Sequence, residues 1–263
     1  MSKYQKVIDT AVGAGKIISR YFGENLEITQ KENNPADLLT KADLDSEKHI
    51  LKELQKHYPG YKIHSEENGR IETDSPFEFI VDPLDGTKNF TLGIPNFTVS
   101  IALNKDEQTV FGVVYNPIIK TLYYAERGAG AHLNDSSIRV SKTQEINKST
   151  VAYATGYKGS KIFKDRVRRK LIDLDVTRVL ENWSPASDFC LLASGKIEVV
   201  INNANEVYDF MAGKLIAREA GAIITDLNGL EESSELNDKF VISNNESVHK
   251  EILEVLRSSQ REA

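Results

Sequence analysis

The run Phe79-Ile80-Val81-Asp82-Pro83-Leu84-Asp85-Gly86-Thr87-Lys88-Asn89-Phe90 sets two aspartates, three apart, at the end of an apolar stretch of β type. Hard divalent cations need several oxygen ligands on a rigid turn, and magnesium is held by a few carboxylates together with substrate phosphate. A strand that stops on Asp82 aims that carboxylate out of the sheet end. Pro83 fixes one backbone torsion, and Gly86 permits a tight reversal that a side chain would block. Thr87 and Lys88 then open a helix, whose free backbone N–H groups suit an anion. Metal ligands and a phosphate cradle thus fall within one short segment.

One turn rarely holds a catalytic metal alone. Glu66-Glu67 follows a short strand at 61–64 and precedes Gly69, a strand-end loop of the same kind. Asp209 stands in the first turn of a helix, where the dipole favours a carboxylate. Asp43 lies between a polar loop at 32–37 and the second helix. The chain has 39 acids, and spacing alone does not single these out.

The elements that must carry these groups are legible in the periodicity. Val7, Ile8, Ala11, Val12, Ala14, Ile17, Ile18, Tyr21 and Phe22 recur at helical spacing and predict a first helix ending near Gly23. A second helix is expected over 44–58, stopped by Pro59-Gly60. Segments 77–81, 97–103, 110–115 and 121–125 are rich in aromatic and β-branched residues. Their short connections predict antiparallel strands. Beyond residue 150 strands at 151–154, 176–180, 198–201, 222–225 and 240–243 alternate with helices at 162–172, 187–194, 209–220 and from 248 onward. The expected fold class is α+β: two sheets layered with helices in one domain over 1–263, with an N-terminal half to about 150 and a C-terminal half beyond.

With 263 residues, 40% of them hydrophobic, the chain can bury a sizeable core. A formal charge of −6 argues against a general nucleic-acid or membrane-surface binder and suits a protein that gathers divalent cations. The single Cys190 excludes an internal disulfide and a cysteine metal cluster, and its apolar surroundings predict a buried, inert thiol. No targeting signal or membrane span is visible, so the default location is cytoplasmic. The five histidines show no ligand spacing, and surface or loop positions are expected for them.

Four blocks together resemble the inositol monophosphatase superfamily of magnesium-dependent, lithium-sensitive phosphatases. They are Pro35-Ala36-Asp37-Leu38-Leu39-Thr40-Lys41-Ala42-Asp43, Ser65-Glu66-Glu67, Asp82 to Phe90, and Tyr208-Asp209-Phe210-Met211-Ala212-Gly213, in the family's order. The resemblance implies a layered α-β-α-β-α sandwich, a homodimer, and hydrolysis of a phosphate monoester by in-line attack of metal-activated water. It assigns Glu66, Asp82 and the Leu84 carbonyl to a first Mg²⁺, and Asp82, Asp85 and Asp209 to a second. Asp43 and Glu66 would support a weaker third ion and, with Thr87, orient the attacking water. Backbone N–H groups of Gly86 and Thr87 would receive the phosphate, with Ser184 and Asp209 also facing the substrate.

The chain departs from the family where the alcohol is recognised. Trp183-Ser184-Pro185-Ala186 stands where Gly-Ser-Ala-Ala is usual, and Asn202 stands where inositol phosphatases tend to carry an acid. Trp183 reads either as a packed core aromatic or as an altered pocket wall. Inositol 1-phosphate or a similar sugar or polyol phosphate is the expected substrate. Nucleotide 3′-phosphates, histidinol phosphate and fructose 1,6-bisphosphate stay open. A different class of reading comes from Lys158, Lys161, Lys164, Arg166, Arg168, Arg169 and Lys170, a basic stretch that reads as a solvated helix or as an RNA- or protein-docking face.

Overall fold

The computed structural model describes residues 3–31 and 34–260. The N-terminal half runs α1 (Gln5–Tyr21), β1 (Ile28–Lys31), β2 (Asn34–Thr40), α2 (Lys41–His57), β3 (Lys62–Ser65), β4 (Gly69–Ile71), β5 (Phe77–Asp85) and the short α3 (Thr87–Thr91). It continues with β6 (Thr98–Lys105), β7 (Gln108–Asn116), β8 (Thr121–Glu126), β9 (Ala131–Leu133) and β10 (Ser136–Ile138). A 3-10 turn, Ile146–Lys148, leads into β11 (Thr150–Thr155), α4 (Lys161–Asp173), β12 (Arg178–Leu180) and α5 (Pro185–Ala193). Then come β13 (Val199–Asn203), α6 (Val207–Glu219), β14 (Ile223–Asp226), β15 (Lys239–Ser243) and α7 (Glu246–Gln260).

Successive residues of a strand face opposite sides of its sheet, and here both sides are apolar. On β5, Phe79 and Val81 pack with Val7, Ala11 and Ile18 of α1 and Ile50 and Leu54 of α2. Ile80 between them faces the other way, into a cluster with Phe189 of α5 and Phe210 and Leu215 of α6. The second sheet repeats the arrangement. Val200 of β13 joins α5 and α6, while Val199 and Ile201 pack with Val167 and Leu171 of α4 and Val248 and Ile252 of α7. The layers are therefore α1/α2, an eight-stranded sheet, α5/α6, a five-stranded sheet, and α4/α7. This is the α-β-α-β-α sandwich that the sequence led one to expect.

The eight-stranded sheet has the order β10-β9-β8-β7-β6-β5-β3-β4. Its β5–β8 meander is antiparallel as expected, and β3 pairs parallel to β5. The five-stranded sheet, β12-β11-β13-β15-β14, is parallel from β12 to β13, where helical crossovers join its strands, and antiparallel from β13 to β14. On the inner face of the large sheet, Gly112 of β7 lets α6 come close. A Cβ there would meet the Ala212 carbonyl oxygen at 2.8 Å.

Three expectations need correcting. The segment expected as a polar loop over 32–37 is mostly strand: β2 begins at Asn34 and pairs antiparallel with β1, while Glu32 and Asn33 lie outside the described residues. The strand expected to stop on Asp82 runs on to Asp85 through a bulge. His249, expected at a surface or in a loop, is buried in α7, where its ring shares hydrogen bonds with Ser243 Oγ at 2.5 Å and Thr225 Oγ1 at 3.0 Å. The Cys190 thiol is buried as expected.

Candidate metal centre

The bulge aims the aspartates. Along β5 and β6, Asp82 faces Ser100 and Asp85 faces Thr98, so three steps on one strand match two on the other. Pro83 has no N–H to give a ladder and is tolerated where pairing breaks. The extra residue bends the strand end, and Leu84 N–H donates to Asp82 Oδ1 at 2.9 Å, fixing that carboxylate. Gly86 follows at φ 92°, the left-handed conformation that caps α3. Its Cα is crowded: a Cβ would meet Asn96 O and Ser184 Cβ at 3.1 Å.

From the other half, α6 brings Asp209 in its first turn. The Glu206 N–H donates to Asp209 Oδ2 at 2.9 Å within a capping box, which sets the carboxylate at the helix entrance. One carboxylate oxygen each from Asp82, Asp85 and Asp209 lies within 4.8 Å of the others. Asp82 and Asp85 are buried, and none of the three has an ion-pair partner among the described residues. Glu66 lies against Asp82 from the β3 loop, and its backbone N–H is tied to the Val81 carbonyl at 3.1 Å.

A third wall comes from α2, whose first turns bury polar side chains. Asp43, expected ahead of the helix, is inside its first turn and completes a capping box with Thr40. Its Oδ2 accepts from Thr40 N–H at 2.8 Å and Thr40 Oγ1 at 2.6 Å, and its Oδ1 accepts from Thr87 Oγ1 at 3.0 Å. Thr87 Oγ1 is also 3.0 Å from the Leu84 carbonyl oxygen. One turn along the same face, Ser46 Oγ donates to the Pro83 carbonyl at 2.8 Å, and buried Glu47 accepts from Ser65 Oγ and from Asn68 N–H at 3.0 Å. Helix α2 therefore braces both acidic loops.

Sequence reasoning missed Glu47, Thr98 and Lys31. The available signal for Glu47 was its i, i+4 relation to Asp43, which puts both on one helix face. Thr98 and Ser184 donate to Asp85 Oδ2 at 3.1 and 2.5 Å, so the Ser184 hydroxyl serves the aspartate. Lys31 Nζ reaches across from β1 to Glu66 at 2.9 Å, Glu67 at 2.7 Å and Asp37 at 3.4 Å. It is the one ammonium bound to this acidic wall among the described residues. Asn202 is fully buried, its amide donating to Asp238 O at 2.7 Å and its Oδ1 accepting from Asn205.

The electrostatics follow from burying like charges together. Burial, then Glu66, Asp85 and Asp209, pushes the Asp82 carboxyl well above the usual range. Burial raises Asp85 to about 7, against the pull of its Ser184 and Thr98 hydrogen bonds. Asp209 is raised well above its ordinary value by burial and then by Glu66. Burial raises Asp43 to about 6, and burial with Glu66 raises Glu67 to about 8. Glu66 is likewise raised by burial, with Lys31 opposing. Burial alone would lower the Lys31 value, but Glu66 and Glu67 outweigh it and raise it. Such a set of oxygen donors, short of cations and free of His and Cys, is what a hard divalent ion requires.

The chain is similar to known proteins along nearly its whole length. The profile of the Inositol monophosphatase family matches residues 2–261. An inositol-1-monophosphatase of Mesorhizobium japonicum is 35% identical over 259 residues, covering 95% of this chain and 94% of that one. The Nus factor SuhB of Haemophilus influenzae is 37% identical over 255 residues, with 95% and 94% covered. Among solved structures, the extragenic suppressor protein SuhB of Bartonella henselae superposes with a TM-score of 0.91 at 34% identity, covering 98% of this chain and 99% of that chain. The chain belongs to the inositol monophosphatase family.

Proposed function

We propose that this chain is a phosphoric monoester hydrolase acting on a small substrate, inositol 1-phosphate or a similar sugar or polyol phosphate, with two to three Mg²⁺ ions. The observation that carries the reading is the convergence of Asp82, Asp85 and Asp209 within 4.8 Å, with no neutralising side chain among the described residues. Relatives named inositol-1-monophosphatase support the class of reaction.

Glu66, Asp82 and the Leu84 carbonyl would hold one ion, Asp82, Asp85 and Asp209 a second, and Asp43 with Glu66 a third. When bound, Mg²⁺ supplies Lewis-acid charge that acidifies water and offsets negative charge on the phosphoryl and leaving oxygens. The chain's own groups position the reactants. Asp43, by accepting the Thr87 hydroxyl proton, leaves the Thr87 oxygen as an acceptor that can orient a water for attack. Gly86 and Thr87 offer backbone N–H groups at the start of α3 for the phosphate, on a turn where a Cβ at Gly86 would crowd Asn96 O and Ser184 Cβ. Attack forms the new P–O bond from water and breaks the ester P–O bond, releasing the alcohol and inorganic phosphate. The active species is taken to be a homodimer, as the resemblance implies, with the cytoplasm as its default location.

The test is a panel of phosphomonoesters assayed with and without Mg²⁺ and with added lithium. Mg²⁺-dependent release of phosphate from inositol 1-phosphate, suppressed by lithium, is the expected result. No Mg²⁺-dependent turnover across the panel rejects the reading, and adenosine 3′,5′-bisphosphate as the best substrate rejects the polyol preference.

Relatives named Nus factor SuhB favour a second reading, in which the basic face of α4 docks RNA or protein. Part of that face is already engaged: Lys158 pairs with Glu206 at 2.6 Å and Lys164 with Glu181 at 2.8 Å. Arg168 and Arg169 are exposed. Salt-sensitive retention of RNA, lost on neutralising those two, would support docking.

A further inference from the structure

We propose that Trp183 is a wall on which the leaving alcohol of the substrate stacks, so that the enzyme selects phosphomonoesters of cyclic alcohols over open-chain ones. The inference rests on the phosphatase reading above and narrows its substrate.

Trp183 is 57% exposed, which removes the packed-core alternative. Among the described residues no ring or cation is stacked on the indole. Its φ is 53°, a conformation that costs a residue with a side chain and persists only where the surroundings impose it. Both neighbours impose it. The Asn182 carbonyl accepts from Asn89 Nδ2 at 2.7 Å and Asn96 Nδ2 at 3.3 Å, and Asn182 Nδ2 donates to Asp188 at 2.6 Å. On the other side, Ser184 Oγ is fixed to Asp85. The clamped residue abuts the phosphate cradle, because a Cβ on Gly86 would meet the Trp183 carbonyl oxygen at 3.3 Å.

The flanking polar groups are spent internally. Asn182 uses its side-chain NH2 and its main-chain carbonyl, Ser184 donates to Asp85, and Asn202 is buried and hydrogen-bonded. What this rim offers an alcohol is therefore a flat, largely apolar π face. A ring can cover it with a C–H or π surface, whereas glycerol has no such face.

Trp183 is the only tryptophan in the chain, so its emission reports directly on the contact. The wild-type protein with Mg²⁺ is mixed with myo-inositol 1-phosphate, phenyl phosphate, glycerol 2-phosphate and inorganic phosphate. Emission is expected to shift on mixing with the first two only, a readout that holds even if no substrate is turned over. Where turnover is seen, Trp183→Ala should lower kcat/KM for the cyclic esters about tenfold, mostly through KM. Glycerol 2-phosphate turnover and Mg²⁺ affinity should stay unchanged, and Trp183→Phe should restore most of the loss. Trp183→Gly should also lose the selectivity while raising the thermal midpoint, since glycine accepts the positive φ without strain. An emission unmoved by the cyclic esters, or equal losses on cyclic and open-chain esters, overturns the proposal.

Discussion

Helix α6 meets two buried groups of charged side chains, and they are built in opposite ways. At its first turn, Asp209 joins Asp82 and Asp85 with no cationic side chain paired to them among the described residues. Midway along, Lys214 Nζ sits 2.8 Å from Glu232 Oε1, 3.2 Å from the Glu235 carbonyl oxygen and 4.0 Å from the centre of the Phe240 ring. Glu235 in turn accepts from Arg127 at 2.5 Å and from Thr109 N–H at 2.7 Å, with Arg218 at 3.7 Å. Every charge in the second group has an opposite charge within reach, and burial costs are offset by pairing. The first group is left incomplete within the chain, and its carboxyl values are raised accordingly. Charge balance thus separates a bracing cluster from one that could hold a cation, where burial alone does not.

Breaking the balanced cluster should have the largest effect. Lys214→Met strands Glu232 in a buried site and is expected to cost about 3–5 kcal/mol of stability. Chemical denaturation measures the cost, and a variant that unfolds like wild type would show that the pairing is decorative. The incomplete cluster should behave in the opposite sense. Asp82→Asn removes a repelling charge and is expected to unfold no more easily than wild type in EDTA. Turnover should fall by at least about a hundredfold, the scale of losing one preorganised group that stabilises developing charge. Near-wild-type turnover would reject Asp82 as a ligand.

Supplying the missing cation should then stabilise the wild type. Mg²⁺ at about one hundred times its Kd adds about 2.7 kcal/mol to the folded state. Thermal unfolding with and without chelator reads this shift, which should vanish in Asp82→Asn. A pH-dependent effect belongs to His249, a neutral counterpart to both clusters. Burial lowers its value from the ordinary 6.5 to about 4. Above pH 6.5 the ring is neutral folded and unfolded, and its contribution is fully present. Between pH 6.5 and 4 only the unfolded chain takes up the proton, so stability is lost as pH falls. His249→Gln should flatten that part of the profile. Because the buried carboxyls titrate in both proteins, the difference between the two denaturation curves isolates the histidine.

The layers and the Asp82–Gly86 segment could be read from the sequence because they rest on local signals: a continuous apolar run, Phe79 to Val81, in β5, and a Pro and a Gly that end it. The β1–β2 hairpin could not. Ile28, Thr29 and Gln30 are exposed, so no apolar face marks β1, and backbone pairing alone defines it. Glu47 and Lys31 look in sequence like any helix-face or loop charge, and only the approach of α2 and β1 to the acidic loops gives them partners. The bulge at Pro83-Leu84 depends on the register of β6, which lies more than ten residues downstream. Trp183 was legible as two alternatives, and its exposure removes the packed-core one.

At Gly112 a missing methyl sets the spacing of two halves of the molecule. Because Ala212 rests directly on that bare backbone, α6 is seated as deep as it can go, and Asp209, three residues earlier, is carried to the same depth. The bite of the cation pincer is thus calibrated from a strand that contributes none of its jaws. An alanine at 112 would act as a shim under the helix, prising one carboxylate away from the other two without touching any of them.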